Sequence, residues 1–166
     1  IETDYEDAIR QYKFERDYKT RLLKFKAGCL AHFAMDLNEV YMCTNLKGKS
    51  SFFLPFNKGC GVGIHSGKGN PHNENGINVS YMWEDILKKD TVLYLIDKII
   101  FLQKETKKDP DTGKRVTKET LIFPRYHQFK AVRKLVADVV EHHSEKNYLI
   151  EHSAGSGKTN TIAWLA

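Results

Sequence analysis

The stretch "NYLIEHSAGSGKTNTIAWLA" (Asn147–Ala166) decides how this chain is read. Asn147 to His152 is a short apolar run that predicts a strand. "SAGSGKT" follows as a small, glycine-containing loop, and "NTIAWLA" starts a helix. Strand, loop and helix are the context in which a Gly-Lys-Thr sequence binds phosphate. Glycines let backbone N–H groups converge on phosphate oxygens, because a Cβ would obstruct the turn. The helix N-terminus adds partial positive charge at the same place. Lys158 then reaches the β- and γ-phosphates, and the Thr159 hydroxyl holds Mg²⁺. The strict spacing G-x-x-x-x-G-K-[ST] puts His152 where its first glycine belongs, so the pattern is one residue short of complete.

Upstream, "LIFPRYHQ" leads into "FKAVRKLVADVVEHH", where Phe129, Val132, Leu135, Val136 and Val139 make an apolar stripe at helical spacing. Helix, strand, loop and helix open a parallel α/β nucleotide-binding domain. Gln128 stands at the start of that helix. Its amide both donates and accepts, which matches the adenine edge and not guanine, so ATP is expected over GTP. The alternative reading of Gln128 is an ordinary polar residue at a helix start. His142 and His143 end the helix, where the macrodipole favours a cation, and are read as caps.

The part before this domain is less regular. Asp4 to Thr20 predicts a helix, with Tyr5, Ala8, Ile9 and Tyr12 at helical spacing. Ala27 to Leu46 holds two apolar runs around "DLNE", a β-hairpin turning near Leu37 and Asn38. "SFFLPF" (Ser51–Phe56) contains Pro55 and belongs at a sheet edge or strand end. Asn57 to Asn78 is a polar, glycine-rich loop. Two helices are expected over Val79–Lys89 and Asp90–Glu105, the second capped by Asp90, with Trp83 and the Leu93–Leu102 run in the core. Thr106 to Thr120 carries a Pro-Asp-Thr-Gly turn and strong charge, and reads as a linker or surface hairpin containing a domain boundary.

A chain of 166 residues suffices for one domain or for parts of two. Cys29, Cys43 and Cys60 form no C-x-x-C pair and fit reduced thiols in a cytosolic protein. No apolar run approaches the roughly 20 residues that span a membrane. The net charge of +5 mildly favours a polyanionic partner. Lys107, Lys108, Lys114, Arg115 and Lys118 form a basic patch that fits either DNA or plain solvation. Cys60, His65 and His72 match no zinc spacing, and "GCGVG" is not a dinucleotide fingerprint. Lys58 and Lys68 are read as part of a solvated loop. The chain opens without Met and is expected to be a piece of a longer protein.

"FLPFNKG", "GNPHNENG", "SYMWEDIL", "LIFPRYHQFKAVRKL" and "NYLIEHSAGSGKTNTIAWLA" together resemble the restriction (R) subunit of type I restriction-modification enzymes, from about Asp7 to Ala166. "HSAGSGKT", with its His152, is usual in that family. The resemblance implies an α/β chain: the end of a PD-(D/E)xK-type nuclease domain (residues 1–105), a linker or surface hairpin (106–120), and the beginning of the first RecA-like P-loop helicase domain (121–166).

It further implies an ATP- and Mg²⁺-dependent enzyme that translocates and cleaves double-stranded DNA, with methyltransferase (M) and specificity (S) subunits as partners. The cell compartment implied is the bacterial or archaeal cytoplasm. The nucleotide set it carries over is Arg125, Gln128, Ala154, Gly155, Ser156, Gly157, Lys158, Thr159 and Asn160, with Lys158 catalytic and Thr159 on the metal. Members of the nuclease group carry Q-x-x-x-Y after the catalytic strand. Tyr12 matches its Tyr, whereas Ala8 holds the Gln position and Gln11 is wrongly spaced. A helix-face aromatic is the other reading of Tyr12. Alternatives to the whole assignment are another superfamily 2 helicase, or a DNA-binding module with an incomplete phosphate loop. The 166 residues by themselves are expected not to turn over ATP, since they lack a water-positioning acid and an arginine finger.

Overall fold

A computed structural model describes residues 4–60, 68–110, 112–143, 146–151 and 157–166. The chain is mixed α/β with small sheets, and it divides into two compact units, Ile1–Phe123 and Pro124–Ala166.

In the first unit, α1 (Tyr5–Arg10) continues as a π-helical turn over Gln11–Glu15. Asp4 caps it, accepting from the backbone N–H groups of Glu6 and Asp7 at 2.8 and 3.1 Å. The helix stops short of the expected Thr20 because Arg16 turns to extended backbone. Tyr5 stacks on Tyr41 with ring centroids 4.4 Å apart, which lays the helix on the first sheet.

That sheet is antiparallel, in the order β1 (His32–Met35), β2 (Val40–Cys43), β3 (Leu54–Pro55). The β1–β2 turn falls where "DLNE" predicts it. The Asp36 carboxylate accepts from the N–H groups of Asn38 (2.7 Å) and Glu39 (2.8 Å), an Asx turn. Pro55 pairs at an edge, where its missing N–H is harmless. Ala34, Val40, Met42, Phe56, Val79 and Met82 are buried in this unit, with Val40 and Met42 on the face of β1–β2 opposite Ala34. Phe33, Phe56 and Phe123 meet edge-on with centroids about 6 Å apart.

The two helices expected next are shorter than their patterns. A π-helical turn spans Met82–Ile86; α2 (Lys89–Tyr94) continues as another over Leu95–Ile99. Asp90 lies inside the first turn instead of capping it. The core takes only Leu95 and Ile99 from the run; Trp83 is 48% exposed, and Leu93 and Ile96 face solvent. Ile100 becomes extended, and residues expected to finish the helix form β4 (Phe101–Lys108), paired along its full length with β5 (Arg115–Ile122). "FLQKETKK" contains good helix formers. Its neighbour "RVTKETLI" is β-rich, and the tight turn before it supplies cross-strand partners that a helix would forgo. In that turn Gly113 takes φ +67°, and Asp109 accepts from the Thr112 N–H at 2.8 Å. Residues 106–120 are thus a hairpin continuous with the first unit.

In the second unit, α3 (Tyr126–His142) buries Tyr126, Gln128, Phe129 and Val132. Its apolar stripe fades toward the C-terminus, where Val136, Val139 and Val140 are exposed. His143 closes the helix in the left-handed conformation, its N–H on the Val139 carbonyl at 2.8 Å. The His142 ring Nδ1 lies 3.2 Å from the Asp138 carboxylate and 3.1 Å from its carbonyl oxygen. The Tyr148 hydroxyl donates to the same carboxylate and, with Lys146, holds it below the usual range. The expected strand over residues 147–151 does not form, because among the described residues this unit offers no strand to pair with, and Leu149 is 95% exposed. Both sheets of the molecule are antiparallel. α4 (Lys158–Ala163) forms where a helix is expected, beginning within the Gly-Lys-Thr sequence, two residues before Asn160.

Candidate nucleotide site

The start of α3 and the start of α4 are joined by one side chain. Arg125, extended after Pro124, is the residue before α3. Gln128 lies on the first turn, and its Oε1 accepts from the Arg125 backbone N–H at 2.9 Å. This is the glutamine half of a capping box. The other end of the amide donates from Nε2 to the Gly157 carbonyl, also at 2.9 Å. Gln128 is buried, so both bonds are shielded from water.

Gly157 is suited to this contact by its lack of a side chain. Its backbone is left-handed (φ +84°, ψ 32°), and a Cβ there would lie 2.6 Å from Gln128 Nε2. Its carbonyl also accepts from the Asn160 N–H at 3.1 Å, which begins α4. Lys158 and Thr159 are the first two residues of that helix and both are exposed; Asn160 is half-buried. The structure thus brings together Arg125, Gln128 and Gly157, with Lys158, Thr159 and Asn160 directly after. Ala154, Gly155 and Ser156 lie outside the described residues, as do His152 and Ser153. The Gln128–Gly157 bond is invisible to pattern reading. The capping signature needs Ser or Thr at the N-cap, and here Arg125 stands in that place.

Tyr12 sits in the other unit, half-buried. Its ring lies 5.8 Å from His32 and 5.7 Å from Phe53, with the Arg16 guanidinium 5.9 Å over its face. Burial raises its phenol pKa, partly offset by Arg16. Burial likewise lowers the pKa of His32.

The glycine-rich loop is exposed along much of its described length, as a solvated loop would be, but amide side chains tie it down. Asn70 accepts from the Lys58 N–H (2.8 Å) and donates to the Asn38 carbonyl (2.7 Å) and to Asn57 Oδ1 (3.0 Å). Asn57 in turn accepts from the Val40 N–H at 2.8 Å, and Asn78 donates to Asn38 Oδ1 at 3.0 Å. These amides sew the loop onto the β1–β2 turn. The signal was the density of asparagine in "GNPHNENGIN". Lys58 lies over the Tyr81 ring at 4.9 Å, engaged within the unit. The Cys60 thiol donates to the Lys68 carbonyl at 3.0 Å; His65 lies outside the described residues. No group of three or more potential metal ligands occurs among the described residues. No helix there is long and apolar enough to cross a membrane.

Comparison with known proteins gives one curated relative. The chain is 32% identical over 110 residues to a Methanocaldococcus jannaschii protein named "Putative type I restriction enzyme MjaVIIIP endonuclease subunit". The match takes in 58% of this chain and 10% of that protein, so the chain spans about a tenth of the relative's length. No family model matches, and no solved structure matches. The comparison supports a relationship to restriction enzymes over part of the chain.

Proposed function

We propose that this chain belongs to the R subunit of a type I restriction enzyme, an ATP-driven translocase and endonuclease acting on double-stranded DNA. In this reading residues 1–105 are the latter part of the nuclease domain and 121–166 begin the first motor domain. M and S subunits complete the assembly. The partial relative supports the restriction-enzyme side of this reading.

The observation that carries the nucleotide side is the Gln128–Gly157 bond. An amide has four hydrogen-bonding positions, two donors and two lone pairs. One donor is committed to the Gly157 carbonyl and one lone pair to the Arg125 N–H. The remaining donor and acceptor are the pair that an adenine edge requires. Gln128 would then read the base while bracing the turn that precedes Lys158. The donor set of α4 suits Mg-ATP: Lys158 supplies an ammonium for the phosphates, and Thr159 a hydroxyl for the metal. When bound, Mg-ATP supplies the free energy of γ-phosphate hydrolysis. The chain's own residues bind and orient it.

The test uses the intact subunit. Duplex DNA should stimulate its ATP hydrolysis, and Lys158→Ala should abolish that hydrolysis with the melting temperature unchanged. Normal hydrolysis by Lys158→Ala would overturn the phosphate-loop assignment.

A further inference from the structure

The β4–β5 ribbon spends its charges unevenly. The two eight-residue strands form a sheet of their own, with no third strand among the described residues, and would extend about 27 Å at ordinary strand rise. Directly paired residues share a face, so Lys104, Glu119, Thr106, Thr117, Lys108 and Arg115 line one side. Lys118 and Lys107 lie on the other. Midway along, Glu119 receives Lys104 at 3.3 Å and Lys26 at 2.5 Å. Those two lysines hold the Glu119 carboxyl below its ordinary range. Glu105 takes Lys107 at 3.5 Å. Asp109 turns its carboxylate inward to the Thr112 N–H.

The described acids of the ribbon are therefore engaged at its middle or in its turn. Lys108, Lys114, Arg115 and Lys118 form no ion pair among the described residues, and all four are exposed. Three of them cluster at the distal end, with Lys118 on the opposite face. A bare two-stranded hairpin is marginal in water and gains nothing from unpaired cations at its tip.

We propose that this ribbon is a duplex-DNA contact: its distal end enters a groove, and cations on both faces meet the phosphates of the two strands. A two-stranded ribbon fits the major groove, and cations on phosphates supply binding without base readout. The inference rests on the DNA-translocase reading above and assigns it a surface outside the nucleotide site.

The triple variant Lys108→Gln/Lys114→Gln/Arg115→Gln of the intact subunit tests this by anisotropy of a labelled duplex across a salt series. At roughly 0.1 M salt its binding should weaken about tenfold or more, and the log–log salt slope should shrink by about two to three. Lys104→Gln, at the ion-paired middle of the ribbon, should leave both nearly unchanged. Equal affinity and slope in wild type and triple variant overturn the ribbon contact while leaving the translocase reading standing. Loss of binding with an unchanged slope, or an equal effect from Lys104→Gln, also overturns it. If the wild-type subunit binds no duplex at all, both readings fall. Retained ATP binding by the triple variant shows that its nucleotide site is intact.

Discussion

Two loops of this molecule contain clustered glycines, and their described parts are held in different ways. The loop of residues 57–78 is fastened by several asparagine side chains that bond to each other and to the β1–β2 turn. The exit of the Gly-Lys-Thr loop, at Gly157, is tied to α3 by one glutamine amide. Distributed fastening tolerates the loss of one bond, whereas a single buried tie does not. The difference suits a scaffold in one case and, on the nucleotide-binding function proposed above, a ligand-contacting turn in the other.

The most damaging challenge to that contrast is Gly157→Ala. The new Cβ must occupy a left-handed backbone, costing about 1–2 kcal/mol, and must also displace Gln128 Nε2 from 2.6 Å away. Binding of an ATP analogue by the intact subunit, read by calorimetry, should fall more than tenfold. Binding at wild-type strength would show that the Gly157 turn is not part of the nucleotide site.

Gln128→Ala comes next. It leaves the Arg125 N–H and the Gly157 carbonyl without their buried partner, a loss of about 1–3 kcal/mol. Denaturant unfolding should register that loss, and ATP should lose its advantage over GTP. Gln128→Glu separates the two bonds, since a carboxylate still accepts from Arg125 but cannot donate to Gly157.

Asn70→Ala sharpens the other side of the comparison. It removes three hydrogen bonds at once, yet Asn57 and Asn78 still hold the β1–β2 turn. Unfolding should show a loss of about 1 kcal/mol, the worth of a typical bond and not of three. A loss as large as that of Gln128→Ala would end the claim that fastening here is distributed.

The smallest effect concerns pH. Burial lowers the His32 pKa, so the folded state resists protonating it. The unfolded state binds the proton first. Stability is therefore full above about pH 6.5, the unfolded value. It declines as pH falls from there through the lower folded value. His32→Gln should flatten this decline in pH-dependent melting, and an unchanged profile would remove His32 as its source.

Much of the local structure was legible before folding was considered. "DLNE" gave its turn because Asp36 can bond two N–H groups within three residues. The stripe from Phe129 predicted α3, and Gly157-Lys158-Thr159 predicted the entry to α4. Pro55 marked an edge. Helix propensity continues over Phe101–Glu105, yet the segment is strand, because propensity is counted residue by residue while a ladder is a property of two segments. Trp83 was misjudged as core because hydrophobicity does not say which face of a helix finds a neighbour.

The sequence by itself determined the chemical inventory: a Gly-Lys-Thr sequence, a glutamine ahead of it, and a surplus of cations around a tight turn. Each depends on residue types at short range. The tertiary structure decided which of those groups are already engaged. Gln128 holds Gly157, Lys58 lies on Tyr81, and Glu119 gathers Lys26 from far along the chain. Such pairings form between residues tens of positions apart, and their free energy depends on burial and geometry that exist only once the chain has closed on itself.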